Sequence, residues 1–263
     1  MLYGGYLMRD LPYRWIEAIQ DRRDYIEDQL RLGSPVVGLP YAQGSLLLTV
    51  SKGAQKIFEV HDRIALSAIG HPADIERLRM LVTDTASVQA FQSATEDVNL
   101  HRLTHYVLAH TFKQAFEAIV GEAYIIKMLL VEIGNGDTPT QFTHINYDGN
   151  VKVQHESAVI GGTTEIENAM QDYLTAAQTD AKPDLPTALQ LALKTWAVGR
   201  GLSQRFEDAD DNTEVTDEQL NDIIKTELAD REIEVGVLDS TLSGDTKFRL
   251  LTQDEIQAAS GTN

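Results

Sequence analysis

Apolar positions along the chain switch between two periods. Over residues 12–32, Trp15, Ile16, Ile19, Ile26 and Leu30 recur at helical spacing with acids and arginines between them, which predicts an amphipathic helix. Pro12 suits a first turn and Gly33 a helix stop. Strand patterning follows. Residues 36–41 and 45–50 flank Ala42-Gln43-Gly44 as a hairpin, and 56–60 and 64–69 flank His61-Asp62-Arg63. After Gly70-His71-Pro72 come two long helical patterns. The first, 73–93, is expected to turn Ile75, Leu78, Leu81, Val82, Val88 and Phe91 inward; the second, 96–120, Leu100, Leu103, Val107, Phe112, Phe116 and Ile119. Strands return at 124–133, 141–147, 151–155 and 158–160, with Asp148-Gly149 as a hairpin turn. Helices are expected at 164–177, 185–202 and 217–228, strands at 232–238 and 247–251, and a last helix from about 252. Thr164 with Glu167, and Thr216 with Gln219, read as capping boxes.

Helices thus come in pairs and strands in hairpins. This is not the alternation of a parallel sheet. It points to an α+β fold, an αββα sandwich of two mainly antiparallel sheets with helix layers outside. Three segments are expected: a flexible N-terminal arm over 1–11 containing Gly4-Gly5, a domain over 12–251, and a C-terminal helix or tail over 252–263.

Composition narrows the function. A chain of 263 residues with 43% hydrophobic and 24% charged residues is long enough to bury a sizeable core and is not disordered throughout. Forty acids against 22 bases leave a net charge of −18. Without a local Lys/Arg cluster, such a chain repels nucleic acid and anionic membranes, and neither is expected as a partner. The absence of cysteine excludes disulfides, thiol catalysis and cysteine zinc sites, and suits a cytoplasmic location. No unbroken apolar run reaches the ~18 residues of a membrane span, and residues 1–10 lack the basic start of a secretory signal.

Several constellations carry little chemistry. His101 and His105 share a helix face, with His110 beyond them, but no third-ligand pattern accompanies the pair, so no metal or other cofactor is expected. Gly161-Gly162-Thr163 before a helix lacks the Gly-Lys-Ser/Thr of a phosphate loop and reads as a turn with a cap. His61-Asp62 has no nucleophile elbow near it. The acidic run 207–222 reads as a solvated segment.

Other runs carry a resemblance. Lys56-Ile57-Phe58-Glu59-Val60-His61-Asp62-Arg63-Ile64-Ala65-Leu66-Ser67-Ala68-Ile69-Gly70 is similar to a strand pair of 20S proteasome subunits, closest to the α-type subunits of actinobacteria. Gly33-Ser34-Pro35-Val36-Val37-Gly38-Leu39, Val159-Ile160-Gly161-Gly162-Thr163-Thr164-Glu165 and Val235-Gly236-Val237-Leu238-Asp239 match the same pattern in the same order. The resemblance implies the αββα sandwich. It also separates two kinds of subunit. Catalytic β-type subunits begin, after cleavage, with a threonine whose own amine is the general base. Here Ser34 stands at that place, Pro35 follows it, and Val50 replaces the helping aspartate. The Asp-x-x-Ser-Gly run is replaced by Ala197-Val198-Gly199-Arg200-Gly201-Leu202-Ser203. The helix over 12–32 is an α-type feature.

The resemblance therefore implies a subunit with no peptidase site of its own. It would form a homo-heptameric ring with other α subunits, stack on a β ring that holds the nucleophiles, gate the passage of substrate, and receive an AAA+ ATPase activator. Lys56, by itself a solvent-facing lysine at a strand end, would pair with the C-terminal carboxylate of the activator. Gly33 and Gly70, by themselves turn glycines, would let that tail approach the backbone. Tyr3 and Tyr6 on the arm, by itself a frayed terminus, would belong to the gate. The helix over 12–32 would bridge neighbouring subunits, with Arg22, Arg23 and Asp24 facing the partner. The rival reading is a self-processing N-terminal-nucleophile hydrolase that uses Ser34 with Lys56.

Overall fold

The computed structural model describes residues 7–118, 121–136, 138–177, 181–205 and 216–260. Helix α1 (Leu7–Leu30) starts ahead of the expected position 12, so the arm is helical from Leu7 onward. Tyr3 and Tyr6 lie outside the described residues, as does 207–215 of the acidic run. Gly33 N donates to Leu30 O at 2.8 Å and closes the helix where glycine was expected to stop it. Ile26 and Leu30 are buried, whereas Trp15, Ile16 and Tyr25 stay exposed. Arg22 turns inward instead of toward a neighbour: it donates to Phe116 O and, at 2.8 Å, to Ala118 O.

The strands are β1 (Val36–Tyr41), β2 (Gly44–Ser51), β3 (Ile57–His61), β4 (Ile64–Gly70), β5 (Ile126–Glu132), β6 (Gln141–Ile145), β7 (Val151–Gln154), β8 (Ala158–Ile160), β9 (Glu232–Asp239) and β10 (Phe248–Leu250). They build two five-stranded sheets, ordered β10-β9-β2-β1-β8 and β3-β4-β5-β6-β7, and neighbouring strands run antiparallel. Tyr41 faces Gly44 across a two-residue turn, and Gly149 takes the left-handed backbone (φ +84°) that its hairpin turn requires.

The remaining helices are α2 (Pro72–Gln92), α3 (Leu100–Arg102), α4 (Ala109–Glu117), α5 (Thr164–Ala177), α6 (Leu185–Arg205), α7 (Asp217–Glu227) and α8 (Gln253–Ser260). Three apolar clusters join these elements. One packs Leu46, Leu48, Val235 and Val237 of the first sheet against Met170, Trp196, Leu220 and Ile256 of α5–α8. A second packs Leu66, Met128 and Ile145 of the other sheet against Leu78, Val82 and Phe112 of α2 and α4. A third lies where side chains of both sheets meet, among them Val36, Leu47 and Ile160 with Ile57, Leu129 and Phe142. Among the described residues no helix is long and apolar enough to cross a membrane.

Three sequence expectations change. Asn99 caps α3 by accepting from Arg102 N at 2.9 Å, so the helix expected over 96–120 begins later. It runs into α4 through a π-helical stretch, Leu103–Leu108, whose extra residue per turn shifts the face that follows. On α2, Ile75, Leu78, Val82 and Ala86 are buried, but Leu81, Val88 and Phe91, all expected inward, are exposed, Phe91 at 92%. The capping box expected of Thr164 does not form: Thr163 Oγ1 accepts from Ile166 N at 3.4 Å as a one-sided cap, and Glu167 accepts from Lys127 and Gly161 N instead. The box of Thr216 with Gln219 forms as expected.

Candidate functional site

Lys56 precedes the first residue of β3, an edge strand of its sheet. Its backbone N donates to both carboxylate oxygens of Glu234 on β9, at 3.0 and 2.9 Å, and Ile57 N donates to Glu234 Oε1 at 2.8 Å. The Lys56 side chain is half-buried. Desolvation lowers its pKa; the negative charge of Glu234 opposes this and Arg231 adds to it. The Nζ makes no ion pair or hydrogen bond with the described residues. A partly desolvated cation is unfavourable, and the nearby Glu234 carboxylate offsets part of that cost.

Gly33 and Gly70 come close to one another. A Cβ on Gly33 would meet Leu30 O at 3.0 Å and Ile69 Cβ at 3.3 Å, next to Gly70. Gly70 has φ +137°, and a Cβ there would fall 2.0 Å from Ile125 O, so no other residue fits. Ile57 pairs with Ser67, which puts Lys56 near the end of the β3–β4 ladder that Gly70 terminates. His71, given no role from sequence, caps α2 by accepting from Ala73 N at 3.3 Å.

Ser34 has a different character. It is 5% exposed, its Oγ donates to Val50 O at 2.6 Å and accepts from Trp196 Nε1 at 3.1 Å, and Thr49 Oγ1 lies 3.5 Å away. Its one proton is committed to a carbonyl, and none of these partners is a general base.

The Gly161-Gly162-Thr163 loop holds an internal ion pair. Lys127, 4% exposed on β5, donates to Gly161 O at 3.0 Å and to Glu167 Oε1 at 2.7 Å, and Glu167 Oε1 also accepts from Gly161 N at 3.2 Å. The place where this loop would hold an anion is therefore taken by the protein's own carboxylate. His144 on β6 sits with its Nε2 4.0 Å from the same oxygen, in a cleft of about 470 Å³ also lined by Asn146, Lys152 and Gln171. Burial lowers the His144 pKa to about 4, against a smaller upward pull from Glu167. The rings of His101 and His105 lie 4.4 Å apart, and among the described residues no group of three or more His, Asp or Glu side chains forms a metal site.

Glu234, Lys127, Glu167 and His144 were not singled out from sequence. The first two are charges set between apolar residues inside a strand, a local signal that could have marked them.

No family model matches the chain. It is similar to a proteasome subunit alpha of Frankia casuarinae, 27% identical over 233 residues, or 86% of this chain and 85% of the relative. A proteasome subunit alpha of Streptomyces scabiei is 25% identical over 235 residues, covering 89% of this chain and 84% of the relative. One of Rhodococcus erythropolis is 30% identical over 185 residues, covering 67% of this chain and 69% of the relative.

Proposed function

The chain belongs to the proteasome α-subunit family, and on that footing we propose that it is a non-catalytic subunit of the outer ring of a 20S core particle, built as a four-layer αββα sandwich. It assembles with other copies of itself into a homo-heptameric ring and stacks on a β ring that carries the peptidase sites. It gates the passage of unfolded protein and docks an AAA+ ATPase activator. The stacking of the three apolar clusters, helices on sheet, sheet on sheet, sheet on helices, supports the sandwich.

The Lys56 ammonium carries the docking part. It is half-buried and its Nζ makes no hydrogen bond or close ion pair with the described residues, an arrangement suited to receiving a tail carboxylate. Ser34 supports the non-catalytic part, because its proton and a lone pair are already engaged inside the domain. The reading of Ser34 as a processed nucleophile is not favoured. Tyr3 and Tyr6 remain the gate residues of this proposal.

Co-expression with the candidate β subunit tests the docking. Lys56→Ala is expected to assemble normally while ATPase-stimulated degradation falls roughly tenfold, the loss of one charge-assisted contact. Unchanged stimulation would remove Lys56 from this role.

Exposed apolar side chains on α1 and an apolar face of α2 suit the subunit contacts. Trp15, Ile16 and Tyr25 on α1 suit the neighbour in the ring; Met80, Leu81, Val88 and Phe91 on α2 suit the β ring, since monomers rarely leave such a patch uncovered. Phe91→Glu is expected to keep the circular dichroism of the folded chain and to abolish stacking on the β ring in size-exclusion chromatography. Intact double-ring stacks from the variant would move the contact elsewhere.

A further inference from the structure

The edge of a sheet leaves outward amides that need acceptors. At the start of β3 they meet Glu234. One oxygen, Oε1, accepts from both Lys56 N and Ile57 N, at 3.0 and 2.8 Å, and Oε2 adds a second bond to Lys56 N at 2.9 Å. Glu234 faces Thr49 of β2 in the ladder, and its neighbours Ile233 and Val235 are buried. A carboxylate on such a strand is unfavourable unless hydrogen bonds compensate its lost hydration. Burial raises its pKa, while the two amides and Lys56 pull it down. Two charged groups therefore bear on the Lys56 ammonium: Glu234, and Arg231, itself held by Glu227 at 3.1 Å.

We infer that Glu234 is a positioning residue. By capping the first outward amides of β3, it holds the backbone from which the Lys56 ammonium projects toward an incoming tail. The inference rests on the docking reading of Lys56. It separates two effects of the same side chain. The cap needs only an oxygen acceptor, which glutamine retains. The charge stabilises the ammonium, and glutamine removes it.

Trace labelling with acetic anhydride across a pH series, read by peptide mapping of the full chain in its assembled form, follows the titration of Lys56 without any partner. In Glu234→Gln the backbone stays and the negative charge goes, so the Lys56 titration is expected to move down. In Glu234→Ala the cap is lost and the ammonium reaches water, so it is expected to move up toward ordinary lysine. Two downward shifts would leave Glu234 a charge effect alone, and no shift in either would leave it a bystander; both outcomes overturn the inference. ATPase-stimulated degradation is expected to stay within about twofold of wild type in Glu234→Gln and to fall roughly tenfold in Glu234→Ala. Should Glu234→Ala fail to fold, Glu234→Gln still decides, since loss of stimulation there overturns the cap. Stimulation lost in Lys56→Ala but kept in Glu234→Ala defeats this inference alone. Stimulation kept in Lys56→Ala defeats the docking reading beneath it.

Discussion

Replacing Lys127 by methionine is expected to destabilise the protein by about 3–5 kcal/mol, the usual cost of breaking a buried ion pair by removing one partner. Methionine fills a similar volume, so the loss is chemical rather than a cavity. It strips Glu167 of its 2.7 Å partner and Gly161 O of its 3.0 Å donor, and leaves a carboxylate held by the Gly161 amide alone among the described residues. Both side chains are well buried, at 5% and 16% exposure, so solvent screening does little to soften the effect. The double variant Lys127→Met with Glu167→Gln is expected to recover part of the loss, because no uncompensated charge remains. Urea unfolding of the four combinations gives the coupling directly. Additive losses would show that the two residues act independently.

The second large effect is on acid stability. Burial holds the His144 pKa at about 4, below the ordinary 6.5. Between these values the unfolded chain binds a proton at this position that the folded chain refuses. The folded state is therefore favoured by His144's neutrality above pH 6.5, and that contribution is lost as pH falls toward 4. Over that interval it amounts to roughly 3 kcal/mol. The groups around the ring act in both directions: Glu167 and Asp148 raise the pKa, while Lys127 and Lys152 lower it. His144→Asn removes the titration, so the difference between wild-type and variant unfolding free energies should change with a one-proton slope across this window and be level above it. Parallel curves would mean that the ring titrates alike in both states.

Much of this fold was legible before any coordinates. The 3.6-residue and two-residue periods located the helices and strands, because each reports how a local element divides core from solvent. The hairpin at Asp148-Gly149 and the cap at Thr216 were readable because turn and cap chemistry is local. The misread helix faces have one cause. Leu81, Val88 and Phe91 are apolar but exposed, since α2 has a second apolar face turned away from its own sheet. Hydrophobicity along a helix does not by itself say which of two apolar faces its own sheet covers. The capping box expected of Thr164 did not form because Glu167 found a better partner in Lys127, from a strand 40 residues away in sequence.

The site divides along the same line. Lys56, Gly33 and Gly70 were picked out by the family resemblance, since by themselves they read as a solvent-facing lysine at a strand end and as turn glycines. Their neighbours were not. Glu234 reaches the Lys56 amide across a separation of 178 residues, and Trp196 reaches Ser34 across 162. The order of residues by itself thus determined the elements, the α+β class and the family. Only the tertiary structure decided that Ser34 is locked by an indole and a carbonyl, that the Gly161 loop is filled by its own carboxylate, and that Glu234 sits against the Lys56 amide. Local period and propensity are encoded within a few residues, whereas burial and charge pairing depend on which distant strands the packing of the core brings together.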